Sequence, residues 1–159
     1  MGPCYGLPAP TNGEERIFAQ DACSTVYNNP PNPTYFTIHE TRTITKIGTY
    51  HWNNAQGVKP GTIGLRNQKG EIWGPWQAIG HNGQGGVPNA YWVVDLNPFL
   101  ELPSGTYTIM DSDPSTWSHN SESANSGLVS IVARTKSQPG QSNQSGQSNQ
   151  SGQSGSKSG

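Results

Sequence analysis

The chain has 159 residues, 30% hydrophobic and 12% charged, with a net charge of −1. That length fits one domain plus an appendage, and no run of about 18 apolar residues exists to form a membrane-spanning helix. Near-neutral charge without a basic cluster removes the electrostatic basis for nucleic-acid binding, and the lack of heptads and of strong helix-forming stretches excludes a bundle or coiled coil.

Residues 1–15 read as an N-terminal arm, because Gly2, Pro3, Gly6, Pro8 and Pro10 crowd its first part with turns. Period-two alternation then dominates. Strands are predicted at Arg16 to Ala19, Tyr35 to Ile38, Thr41 to Trp52, Thr62 to Arg66 and Glu71 to Ala78. Pro75 marks the last of these as an edge or a bulge. Trp73 and Trp76, three apart, face opposite sides unless that bulge exists. Further strands are predicted at Tyr91 to Asp95, Phe99 to Leu102, Gly105 to Met110 and Leu128 to Ala133. The last is a nearly continuous apolar run, which suits a central strand. Eight or nine short strands without a convincing helix predict an all-β antiparallel β-sandwich of jelly-roll type over residues 16–136.

Composition changes at Ser137. From there to Gly159 only Ser, Gln, Gly, Asn, Pro and Lys occur, in a decaying six-residue repeat. Such a segment cannot bury enough apolar surface to offset the entropy of ordering it. Residues 137–159 therefore read as a flexible tail, a linker or a spacer.

Cys4 and Cys23 are the two cysteines. In an exported protein the natural reading is one disulfide, pinning the arm to the first strand region. Two unpaired thiols and a lipid-anchored Cys4 are the alternatives.

Three loops exceed what strand connection needs: 53–60, 79–89 and 111–126. Each is rich in Gly, Asn or Ser and lies near a Trp or His, and loops on a rigid sandwich are where function concentrates. In the third, oxygen-bearing side chains fall at positions 1, 3, 5 and 12 counted from Asp111: Asp111, Asp113, Ser115 and Glu122. That spacing is used by calcium loops. Thr116 stands where the sharp turn needs Gly, and a strand rather than a helix precedes it. The alternative is that Asp111 and Asp113 are turn formers. Gly80 to Gly86 lacks the Lys-Ser/Thr ending and the following helix of a phosphate loop. The four His, at 39, 51, 81 and 119, show no paired metal spacing, and no Gly-x-Ser-x-Gly elbow occurs. The chain is expected not to be an enzyme.

Several motifs occur in a fixed order: Thr49 to Asn54 (TYHWNN), Pro60 to Ile63 (PGTI), Gly74 to Gln77 (GPWQ), Gly83 to Trp92 (GQGGVPNAYW), Gly105 to Tyr107 (GTY) and Asp111 to Trp117 (DSDPSTW). Together they resemble a recurrent module of secreted or surface-exposed bacterial proteins, over about residues 17–133. The resemblance implies an extracytoplasmic β-rich domain and no reaction. Its motifs match here at Trp52, Asn53, Trp76, Gln77, Asn89, Trp92, Asp111, Asp113, Trp117 and Asn120.

The functional expectation is a non-catalytic extracellular binding module for a glycan or polysaccharide, formed by the first and third loops. Trp52 and Trp117 would stack on sugar rings, and His51, Asn53, Asn54 and Asn120 would bond hydroxyls. Calcium at Asp111 and Asp113 would order the third loop. The alternative is a structural or self-assembling surface protein, an envelope, adhesin or filament component, in which low charge and many amides and hydroxyls serve self-association.

Overall fold

A computed structural model describes residues 10–136. Nine strands run through them: β1 (Glu14–Gln20), β2 (Tyr35–Ile38), β3 (Arg42–Tyr50), β4 (Thr62–Asn67), β5 (Ile72–Gln77), β6 (Ile79–His81), β7 (Tyr91–Leu102), β8 (Gly105–Asp111) and β9 (Val129–Arg134). They form two antiparallel sheets, ordered β1-β9-β3-β7-β6 and β2-β8-β4-β5. Without the three-residue β6, successive strands cross between the sheets everywhere except at the β4–β5 hairpin. This is the jelly-roll order expected from the sequence.

The core forms where alternating side chains of both sheets meet. Ile44, Ile47, Ile63, Leu65, Leu102 and Ile131 are fully buried there, joined by Trp92 and Tyr107. β9 lies between β1 and β3, and five of its six residues are buried. This accounts for its continuous apolar sequence, since both of its faces are covered. A second, smaller cluster forms on the outer face of the first sheet. There Tyr50, Tyr91, Val93 and Leu128 are covered by Ala22, Val26 and Val87, with Trp52 packed against them.

Bulges shape the open side of the sandwich. β4 and β5 slip register between Ile63↔Trp76 and Leu65↔Trp73, so β5 carries an extra residue around Pro75. The slip turns Trp73 and Trp76 toward the same core, as the three-residue spacing requires. β3 and β7 slip more strongly, from Lys46↔Asp95 to Ile44↔Leu100. Leu96 to Phe99 thus loop out opposite Thr45.

Three expectations need correction. The predicted strands at Tyr91 to Asp95 and Phe99 to Leu102 are one strand, because the bulge absorbs Pro98 and pairing with β3 resumes beyond it. β6 lies within the predicted second loop, and three residues are too short for an alternation signal. β1 begins at Glu14, inside the predicted arm, where Glu14 and Glu15 pair with Arg134 and Ala133. The expected Cys4–Cys23 bridge involves Cys4, which lies outside the described residues, as does the 137–159 tail. Among the described residues no helix is long and apolar enough to cross a membrane.

Candidate functional site at the loop end

Loops 53–60 and 111–126 adjoin one end of the sandwich, beyond Tyr50 and Asp111. Their floor is a polar network. His51 is fully buried, its ring stacked 3.6 Å from that of Trp92. Its Nε2 lies 2.7 Å from Asp111 Oδ2, and its Nδ1 lies 2.8 Å from Thr116 Oγ1. Asp111 Oδ1 accepts from the Asp113 amide at 2.8 Å. Asp113 in turn accepts from the Thr116 hydroxyl at 2.9 Å and from the Ser115 hydroxyl. Burial alone raises the Asp113 carboxyl. The Ser115 and Thr116 hydroxyls, with His51 nearby, outweigh it and hold the group below the usual carboxylate range.

Glu122 belongs to a different network. It accepts from the Cys23 and Ser24 amides at 2.6 and 2.9 Å, and these bonds hold its carboxyl below the usual range. Asn120 caps the 3-10 turn Ser121–Ser123, accepting from the Glu122 amide at 2.9 Å. Its Nδ2 donates to the Thr25 carbonyl at 3.2 Å. Asp111, Asp113 and Ser115 thus sit in one set of hydrogen bonds and Glu122 in another. No group of three or more His, Cys, Asp or Glu side chains poised around a metal occurs among the described residues.

Of the six residues expected to touch a ligand, three are sealed. His51 is fully buried, Asn120 is 3% exposed and Trp117 is 5% exposed. Trp117 belongs to the core, donates Nε1–H to the Leu128 carbonyl at 2.9 Å and lies flush against Gly127. Its place beside a polar loop signalled exposure. The loop instead folds back over it, with Ser118 bonded to the Tyr50 carbonyl and Leu128 to the Ser118 carbonyl. These three residues build the floor and do not present a surface.

Trp52, Asn53 and Asn54 remain accessible. Trp52 walls a pocket of about 300 Å³ shared with Ser24, Thr25, Val26 and Gln84. Tyr27, next in the chain after Val26 and paired with His119, is 60% exposed. Sequence reading missed this partner segment. Its signal was an aromatic followed by the turn-rich Asn28 to Pro33, which reads as a mere connector.

Backbone conformation marks the same region. Seven non-glycine residues have positive φ among the described residues, and six are Asn29, Asn53, Asn54, Ala55, Ala124 and Asn125. Hydrogen bonds tie their loops together: Asn28 donates to Asn53 Oδ1 at 3.0 Å, and Asn32 donates to the Ala124 carbonyl at 2.9 Å. His119 places one ring nitrogen 3.2 Å from the Asn28 carbonyl and the other 3.3 Å from Asn125 Oδ1. Asn53 to Ala55 are three left-handed residues in succession, although L-residues visit that region singly as a rule. Gly57 ends the turn where a Cβ would sit 1.7 Å from the Pro88 carbonyl oxygen.

Fold and site define the class as an antiparallel β-sandwich bearing a loop-built surface at one end. No family model, no curated protein and no solved structure matches the chain.

Proposed function

We propose that the chain is a non-catalytic extracellular module that binds carbohydrate at its loop end, through Trp52 and Tyr27. The observation that carries this reading is an accessible pocket walled by Trp52, with three left-handed residues in succession, Asn53 to Ala55, directly after that Trp. Strained backbone persists where the surrounding structure over-determines it, and such sites concentrate at ligand clamps. The pocket's chemistry suits a sugar: the Trp52 indole, the hydroxyls of Ser24 and Thr25, and the Gln84 amide. The motif resemblance supports a secreted or cell-surface setting. The reading does not rest on calcium, since Asp111, Asp113 and Glu122 each accept hydrogen bonds from protein donors. Retention on a panel of insoluble polysaccharides, with calcium and with EDTA, tests the reading. Retention lost in Trp52→Ala and Tyr27→Ala supports it. Retention unchanged in both removes this site.

A second reading, self-association, is favoured by Ile72 and Ile79, which are 55% and 57% exposed on edge strands β5 and β6. Light scattering across a concentration series decides it. A strictly monomeric species at high concentration removes it.

A further inference from the structure

The open side of the sandwich holds a groove of about 600 Å³ that shares no lining residue with the loop-end pocket. Its walls are the two bulges. From β5 come Trp76 and Gln77, and from β7 come Asp95, Asn97, Pro98 and Phe99. β6 covers β7 only at Tyr91 to Val93, so beyond Val93 no strand pairs with that edge of β7 among the described residues. Bulges re-aim side chains and recur next to binding sites. Here both sheets bulge toward the same space. We propose that this groove is a second binding site and that its ligand is a neutral glycan chain.

Three observations select that ligand. The first is the aromatic wall. Trp76 is half-buried against the core, and Gly74 lies flush against its ring, where a Cβ would stand 2.8 Å away. The indole is therefore held in place before any ligand arrives, which lowers the ordering cost of binding. Phe99 is 50% exposed. The second is the polar set. Asp95 and Asn97 are exposed. Gln77 Nε2 is committed to the Pro60, Gly61 and Ala78 carbonyls, which fixes the amide and leaves Oε1 to accept. The third is the state of the strand edges. Pro75 and Pro98 lack N–H groups and sit in the bulges, so neither edge offers the regular ladder that an added peptide strand needs. A ligand must be held by rings and side chains, as a sugar chain is.

The lining carries one carboxylate and no cation. Lys46 stands 3.6 Å from Asp95 but is shared with Glu14 at 3.5 Å, and Arg134 lies over the Phe99 ring at 5.9 Å. Both flanking cations are therefore engaged, which disfavours an anionic polymer. The volume is ordinary for a ligand site, and a groove open along a sheet edge admits the interior of a chain.

The proposal shares the carbohydrate class with the loop-end reading but not its site. Calorimetry on the full chain separates them. The probes are neutral hexasaccharides of glucose, xylose, mannose and N-acetylglucosamine, with polygalacturonate and a proline-rich decapeptide as contrasts. The expected result is binding of at least one neutral hexasaccharide, weakened at least about tenfold by Trp76→Ala, as for truncation of an aromatic anchor. Asn97→Ala also weakens it, and Trp52→Ala with Tyr27→Ala leaves this component unchanged. Should Trp76→Ala fail to fold, Asn97→Ala and Asp95→Ala decide. Binding lost only in the Trp52 and Tyr27 variants overturns the groove and leaves the loop end standing. Preference for polygalacturonate, or for the peptide through Trp76, overturns the assignment of a neutral glycan. No binding of any hexasaccharide overturns the groove.

Discussion

Trp117 discriminates most sharply between a stacking plate and a structural wedge. A surface plate truncated to Ala loses ligand and keeps its stability. The structure demands the reverse. Trp117 is 5% exposed, packs in the inter-sheet core and donates to the buried Leu128 carbonyl. Removing a buried Trp side chain costs about 3–5 kcal/mol from lost transfer and a residual cavity, and the Leu128 carbonyl loses its indole donor. At roughly 3–5 °C per kcal/mol for a domain of this size, Trp117→Ala should melt at least about 10 °C lower. Gly127→Ala approaches the same contact from the other side. Its Cβ would fall 2.1 Å from the Trp117 ring, so overpacking should cost about 1–3 kcal/mol. Gly13→Ala is a control, since it has positive φ but no atom within 4 Å of the added Cβ. It should cost only about 1 kcal/mol. Thermal and urea unfolding followed by circular dichroism measure all three. A Trp117→Ala protein as stable as the parent would refute the buried placement.

Four further outcomes are expected. Asp111→Asn should destabilise by about 1–3 kcal/mol, because Oδ1 takes the Asp113 amide and Oδ2 faces His51 Nε2, and the amide puts an NH2 group at one of those two places; equal urea midpoints would refute this. Ala55→Gly should raise the melting temperature slightly, relieving about 1 kcal/mol at a φ of 66°; a lower value would show that the turn is not strained. Burial raises the Glu14 carboxyl, but bonds from Thr11 and Thr45 and the Lys46 charge outweigh this and bring it from 4.5 to about 2. With the folded value depressed, its stabilising contribution is complete above about pH 4.5 and fades as pH falls toward 2, so Glu14→Gln should flatten that part of an acid titration. Calcium should leave the melting temperature unchanged, whereas a rise of several degrees that EDTA reverses would show that the Asp111 loop exchanges its hydrogen bonds for a metal.

Much of the architecture was legible because alternation is a local signal. The β8 segment announces itself by alternating burial, and β9 announces its central place by being apolar on both faces. Trp73 and Trp76 even stated their own condition, a bulge at Pro75, and the register confirms it. The site was less legible. Trp52 and Asn53 are partly exposed and Asn54 is exposed. Trp117, His51 and Asn120 look the same in sequence and are buried, because exposure of a loop residue depends on which way the whole loop folds.

The sequence by itself determined most of the strands, the sandwich class and the position of the first and third loops, since each follows from neighbours within about ten residues. Only the tertiary structure decided which aromatics face solvent, that residues 24–26 join Trp52, and that two bulges meet across the open side. Those facts depend on register and on contacts such as Glu122 with Cys23, 99 residues apart. A side-chain period of two is silent about which strand lies opposite and which loop closes over it.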